Sequence, residues 1–170
     1  MGLLRQLPPK EDRPRAIRTP HGRPLHLIVG DGRLQTAGGT AVTAIPGGLR
    51  VGNEDVAVLS DGRLQVPIEG DRETFTRAQA FAPSSADLAR IIGRYRSDEA
   101  QVAYVVTLDK DGLRMTAETR PDYSFLLKPA YLDTFTAGYR IIRLVRGPDG
   151  HVTALRISED RAWDMRFDRL

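Results

Sequence analysis

Few side chains in this 170-residue sequence have the chemistry for catalysis or metal binding. They are three histidines (His21, His26 and His151), two adjacent carboxylate pairs (Asp98-Glu99 and Glu159-Asp160) and a serine closely followed by a lysine (Ser124 and Lys128). A serine hydroxyl becomes a good nucleophile only beside a base. Lys128 falls one residue beyond the Ser-x-x-Lys spacing, and no Gly-x-Ser-x-Gly elbow is present. His21 and His26 form a His-x4-His pair with no carboxylate at ligand spacing, which is not a metal-site pattern. His21 and His151 each adjoin a glycine, as turn residues do, and His26 lies in a strand-like stretch. A retaining glycosidase needs two facing carboxyl groups ~5 Å apart. Both pairs here are chain neighbours in loop-like segments and read as solvated turn residues. The Gly-rich stretch from Gly38 to Gly48 opens no helix, so it lacks the amides of a phosphate cradle. Tyr95, Tyr104, Tyr123, Tyr131 and Tyr139 read as plugs of a core or its ends. The expectation is a chain that is not an enzyme, with no metal and no cofactor.

Composition narrows the classes further. Hydrophobic residues make up 41% and charged residues 28%, enough apolar material for a packed core. The net charge is +3, and acidic residues are interleaved with the arginines throughout, so no basic stripe forms. Nucleic-acid binding, which needs clustered positive charge and stacking aromatics, is not expected. No apolar run approaches the ~18–20 residues that cross a bilayer, so no membrane span is expected. The first residues carry no signal-peptide pattern, which favours the cytoplasm. Without cysteine there are no disulfides and no thiolate metal sites.

Turn chemistry dominates what remains. The pentapeptide DGRLQ occurs at Asp31–Gln35 and again at Asp61–Gln65. Asp-Gly followed by alternating apolar residues marks a tight hairpin, and the chain has four such points: Asp31-Gly32, Asp61-Gly62, Asp111-Gly112 and Asp149-Gly150. Period-two alternation places Val102, Tyr104 and Val106 on one face. It likewise groups Thr153 with Leu155 and Ile157, and Trp163 with Met165 and Phe167. One stretch reads as helix, about two turns long, with Ser84 as its cap, Asp87 completing a capping box and Gly93 as its stop. The two halves align along their length, each a meander with two Asp-Gly turns ending in Phe and Arg (Phe75 and Arg77; Phe167 and Arg169). Many short strands usually close into a barrel, which removes exposed edges. The predicted fold is all-β: two tandem antiparallel up-and-down barrels of lipocalin-like type, joined by a short helix. Residues 1–14 read as a linker without fixed structure, 15–82 as the first barrel and 83–170 as the second, with the helix at its start.

From residue 81 onward the order Ser-x-x-Asp-Leu, Gly-x-Tyr-x-Ser-Asp-Glu, Thr-Phe, Asp-Gly-x-Val-Thr and a closing Arg-Phe-x-Arg carries a resemblance. It resembles the C-terminal region of serine hydrolases of the β-lactamase and penicillin-binding-protein type, in particular D-aminopeptidase-like and esterase-like members with lipocalin-like barrels. The stretch around GRPLHLIVGDGRLQT resembles the preceding barrel of those proteins. The resemblance implies a non-catalytic accessory or specificity module beside a serine hydrolase domain, in cis or in trans. The family's Ser-x-x-Lys and Tyr-x-Asn motifs are expected before residue 1, so no catalytic residue carries over. In some members a barrel loop reaches the active site. The matching segment here is 116–125, read as a polar loop that the first half replaces with the short TAGGT. Glu118, Arg120, Asp122 and Tyr123 are its candidate partner or substrate contacts. The alternative function is a lipocalin-like binder of a small apolar ligand.

Overall fold

The computed structural model describes residues 15–18, 24–30, 33–36, 39–68, 70–79, 81–159 and 162–170. Its hairpins follow from the Asp-Gly pairs. A tight turn needs a residue with positive φ, and glycine adopts it without a β-carbon penalty. Gly62 (φ 82°), Gly112 (φ 125°) and Gly150 (φ 79°) fill that position. The aspartates bond the backbone two residues on: the Arg63 amide donates to Asp61 Oδ1 at 3.0 Å and the His151 amide to Asp149 Oδ1 at 3.0 Å. Asp31-Gly32 and residues 1–14 lie outside the described residues.

The chain divides into two compact units, 1–80 and 81–170. The first unit strings together β1 (Arg15–Arg18), β2 (Pro24–Gly30), β3 (Arg33–Thr36), β4 (Val42–Ile45), β5 (Gly48–Val51), β6 (Glu54–Val58), β7 (Leu64–Ile68) and β8 (Asp71–Arg77). They form one antiparallel sheet in the order β3-β2-β1-β8-β7-β6-β5-β4. Leu27, Val42, Val56, Leu64 and Phe75 make its core. Where the sequence predicts a closed barrel, this sheet is open. Among the described residues, its outer strands meet at the bridge between Gln35 and Ala41, and Thr36 and Thr40 bond each other, the Thr36 amide donating to Thr40 O at 2.8 Å and the Thr40 amide to Thr36 Oγ1 at 3.1 Å. Four-residue strands at that seam offer few ladder partners.

The second unit closes. It comprises the helix α1 (Ser85–Ala89) and β9 (Gly93–Ser97), β10 (Val102–Asp109), β11 (Gly112–Ala117), β12 (Arg120–Tyr131), β13 (Thr134–Ala137), β14 (Arg140–Arg146), β15 (Val152–Glu159) and β16 (Ala162–Arg169). Each strand pairs with its sequence neighbours, and β16 returns to β9 through Asp168 with Arg96 and Arg169 with Tyr95. Inward alternation is as the pattern requires for Tyr104 and Val106, Leu155 and Ile157, and Phe167. With Tyr95, Leu113, Met115, Phe135 and Ile142 these side chains fill the barrel interior.

Two alternation expectations fail, each at a register shift. Trp163 is 49% exposed instead of sharing the core with Phe167. Asp164 just after it adopts φ 60°, and the β15–β16 register shifts between Ile157 and Glu159, so strict alternation with Phe167 reaches back only to Met165. Thr153 is exposed because the β14–β15 register shifts at Arg146 and leaves Thr153 as the extra residue.

The helix forms as its cap dictates but is only five residues long, and Gly93, expected to stop it, instead opens β9. The Ser84 amide donates to Asp87 Oδ2 at 3.0 Å, and the Asp87 amide donates to Ser84 Oγ at 3.2 Å. This short element seats one end of the barrel. Phe81 meets Phe135 edge-on at 5.6 Å, and the Tyr95 hydroxyl donates to Ile91 O at 2.7 Å. Arg169 ties the same end, donating to Arg90 O at 2.9 Å and Ile92 O at 2.6 Å. Ser84→Ala is expected to cost about 1 kcal/mol in urea unfolding. The Ser84 hydroxyl, then its amide, holds the Asp87 carboxyl below the usual carboxylate range. A depressed folded value stabilises above the unfolded value, near ~4, and is lost as pH falls through the folded one. The effect of Ser84→Ala on stability is therefore expected to shrink at acid pH.

Candidate functional site

At the end of the second barrel away from α1, the β9–β10, β11–β12 and β13–β14 turns gather with the end of β15 and the start of β16. Arg140 is the first residue of β14 and shares its inward face with Ile142 and Leu144. It is 5% exposed, an unusual burial for an arginine. Three aromatic rings surround it: its guanidinium carbon lies 4.1 Å from the centroid of Phe125, 4.4 Å from Tyr139 and 5.2 Å from Tyr123. Its Nη2 donates to the hydroxyls of Tyr139, at 2.8 Å, and of Tyr123. Glu159, inward like Leu155 and Ile157 on β15, brings Oε1 to 3.1 Å from Arg140 Nε. That contact is an ion pair without hydrogen-bond alignment, since Nε is buried with no hydrogen-bond partner.

Burial works against the charge on Arg140, but the Glu159 carboxylate beside it outweighs that cost and raises the guanidinium above its ordinary value. Arg140 therefore stays protonated. Tyr104, further down the interior, is pushed up first by burial and then by Tyr123 and Glu159, while Arg140 pulls the other way. It stays a neutral phenol at neutral pH.

The segment 116–125 is not a loop. It is a β-hairpin, with β11 turning through Glu118 and Thr119 into the twelve-residue β12. The β11–β12 register shifts between Thr116, opposite Ser124, and Ala117, opposite Arg120. The bulged side carries Pro121, which has no amide to give a ladder. The four expected contacts separate. Glu118 points away from the interior, accepting from Arg94 at 2.7 Å. Arg120 and Asp122 are exposed and loosely paired at 3.4 Å, with Arg120 5.4 Å from the Tyr123 ring. Tyr123 alone belongs to the buried cluster.

The remaining chemically capable residues are dispersed. Ser124 Oγ lies 3.0 Å from Thr116 Oγ1, and His151 is exposed in the β14–β15 turn. Asp98 and Glu99 rim an open surface depression of about 260 Å³ shared with Arg96, Arg166 and Asp168. Glu159 corrects the expectation of a solvated turn residue, because its strand parity turns it inward to Arg140. The same parity marks Arg140 and was the available signal: charged residues at two-residue steps from Ile142 and Ile157. His21 and the side chain of His26 lie outside the described residues.

Compared with known proteins, the chain matches no family model and no curated protein.

Proposed function

We propose that this chain is a non-catalytic recognition module that works beside a serine hydrolase domain of the β-lactamase and penicillin-binding-protein type, in cis or in trans. The observation that carries the recognition role is the composition of one barrel end. Tyr139, 58% exposed, is part of the aromatic cage of Arg140 there, and Trp163, 49% exposed, stands near the start of β16 at the same end, as Arg120 does at the start of β12. Tyrosine, tryptophan and arginine are the side chains that most often anchor protein contacts. The hydrolase partner rests on the sequence resemblance alone.

The two units also read as copies of one eight-strand meander, the first opened at the β3–β4 seam. In each, the first strand pairs with the last. In each, the last hairpin buries a Leu–Phe pair: Leu64 with Phe75, and Leu155 with Phe167. A left-handed glycine, Gly52 (φ 59°) or Gly138 (φ 61°), precedes the sixth strand of each. Copying would supply a stable frame and let the second copy alone acquire the aromatic end.

The test is isothermal titration of the purified chain with the hydrolase domain encoded in frame with it or beside it, together with nitrophenyl ester, D-aminoacyl amide and nitrocefin assays of the chain alone. Saturable binding without turnover by the chain is the expected result. Turnover by the chain, or no binding, overturns the proposal.

A further inference from the structure

Arg140 is bound less completely than a purely structural arginine needs to be. A guanidinium has five N–H donors. Two phenol oxygens take bonds from one terminal nitrogen, Nη2, and neutralise no charge. Glu159 supplies the carboxylate but sits off-line to Nε, which is left buried without a hydrogen-bond partner. The second terminal nitrogen, Nη1, has no hydrogen bond among the described residues. Burying a cation with donors unmet is costly, so some return is expected of it.

The fold itself does not require this arginine. In the first unit the turn after Gly52 enters the sixth strand with Glu54, exposed, at the place Arg140 holds after Gly138. The place of Glu159, four residues beyond the buried leucine of the seventh strand, is taken by Ile68. β4 is only four residues long and lacks counterparts of Tyr123 and Phe125. The same strand order therefore forms without the arginine, its carboxylate or its aromatic walls.

From these features we propose that the Arg140 end of the second barrel binds a small molecule with one carboxylate on an apolar or aromatic body. The guanidinium fork is the complement of a carboxylate and makes two parallel bonds to it. Nη1 is the unbonded terminus of that fork, and Nε, faced by Glu159 Oε1 at 3.1 Å without a hydrogen bond, completes the edge that a carboxylate would take over from Glu159. Phe125, Tyr123 and Tyr139 give the adjoining body a stacking surface. Glu159 is the built-in competitor, an internal carboxylate that balances the charge without bonding Nε. This inference does not depend on a hydrolase partner.

The experiment titrates the full chain with acetate, benzoate and 4-phenylbutyrate, with 4-phenylbutanamide as the uncharged control, following the Arg140 Nε–Hε NMR signal and heat. At least one carboxylate is expected to bind saturably and shift that signal, with 4-phenylbutyrate binding at least about tenfold more tightly than its amide. Glu159→Gln is expected to bind carboxylates more tightly, and Arg140→Met to lose binding. Arg140→Lys keeps the charge but not the fork, so it guards against a folding defect and is expected to bind weakly with an intact circular dichroism spectrum. Equal affinity for acid and amide overturns the proposal. So does the absence of a saturable shift for every carboxylate in both the unmodified chain and Glu159→Gln. An acetylated peptide with a free C-terminal carboxylate serves as the remaining arm. Binding of that peptide with none of the small carboxylates would assign the site to a protein partner and overturn the small-molecule reading.

Discussion

Phe167→Ala is expected to lower the stability of the second unit by about 3–5 kcal/mol, while Trp163→Ala, on the same strand, costs no more than about 1 kcal/mol. Both are large aromatic residues at alternating positions of β16. Phe167 is 1% exposed, opposite Leu155 and tilted against Tyr104 at 5.3 Å between ring centroids. Removing its ring leaves a cavity among side chains that are themselves fully buried, Leu155 and Ile157 among them. Such a cavity adds to the lost transfer energy because a closed barrel relaxes little around it. Trp163 stands beyond the point where Asp164 turns left-handed. Asp164 is held in that conformation by Arg143 and Arg156 and by its own amide donating to Ser158 Oγ at 3.0 Å. Urea unfolding followed by far-ultraviolet circular dichroism separates the two variants without relying on the single tryptophan. Equal losses would mean that β16 keeps strict alternation and that Trp163 is in the core.

The second large effect is expected at Gly48. A β-carbon built there would lie 2.3 Å from the carbonyl oxygen of Val56 and 3.4 Å from the α-carbon of Ala57. Gly48 is paired with Ala57 across β5 and β6, so the obstacle is backbone and cannot rotate aside. Val56 is also a core residue, which ties any displacement of β6 to the packing of Leu64 and Phe75. Gly48→Ala is therefore expected to cost the first unit about 1–3 kcal/mol, the range of an overpacked interior. Thr43→Ala, exposed on the neighbouring strand β4, is the control and stays within about 0.5 kcal/mol. Amide hydrogen exchange reads the result, with faster exchange in β5 and β6 for the glycine variant. Unchanged protection there would contradict the close approach of the two strands.

Local chemistry made part of this architecture legible. The aspartates of the hairpins, the Ser84–Asp87 capping box and the inward runs of β10 and β15 are short-range features, and short-range physics decides them. The failures share a different origin. Bulges at Thr153, at Ala117 and at Trp163–Asp164 reverse which face a side chain takes, and nothing in residue type announces them. The hairpin at Glu118-Thr119 looks polar enough to be a loop because its outward residues are charged, yet Tyr123, Phe125 and Leu127 alternate inward along β12. The arginine cluster is less legible in the sequence, because a charged residue in a strand ordinarily faces solvent. Arg140 and Glu159 keep the parity of the apolar residues around them, and only long-range pairing of β14 with β15 makes that burial tolerable. The opening of the first sheet is likewise a matter of strand length at a seam between β3 and β4, far less visible than the turns that frame it.

Recognition through the aromatic end of the second barrel is the claim on which the functional account stands. The barrel offers a real alternative, since Ile92, Leu108, Leu132 and Leu170 are exposed apolar residues at the helix-seated end. The direct measurement is the dissociation constant of the hydrolase complex for two variants, Tyr139→Ala with Trp163→Ala at one end and Leu132→Ala with Leu108→Ala at the other. The predicted result is a loss of at least about tenfold in affinity for the aromatic pair and an unchanged constant for the leucine pair. The reverse order, with the leucine pair abolishing binding and the aromatic pair neutral, would contradict it.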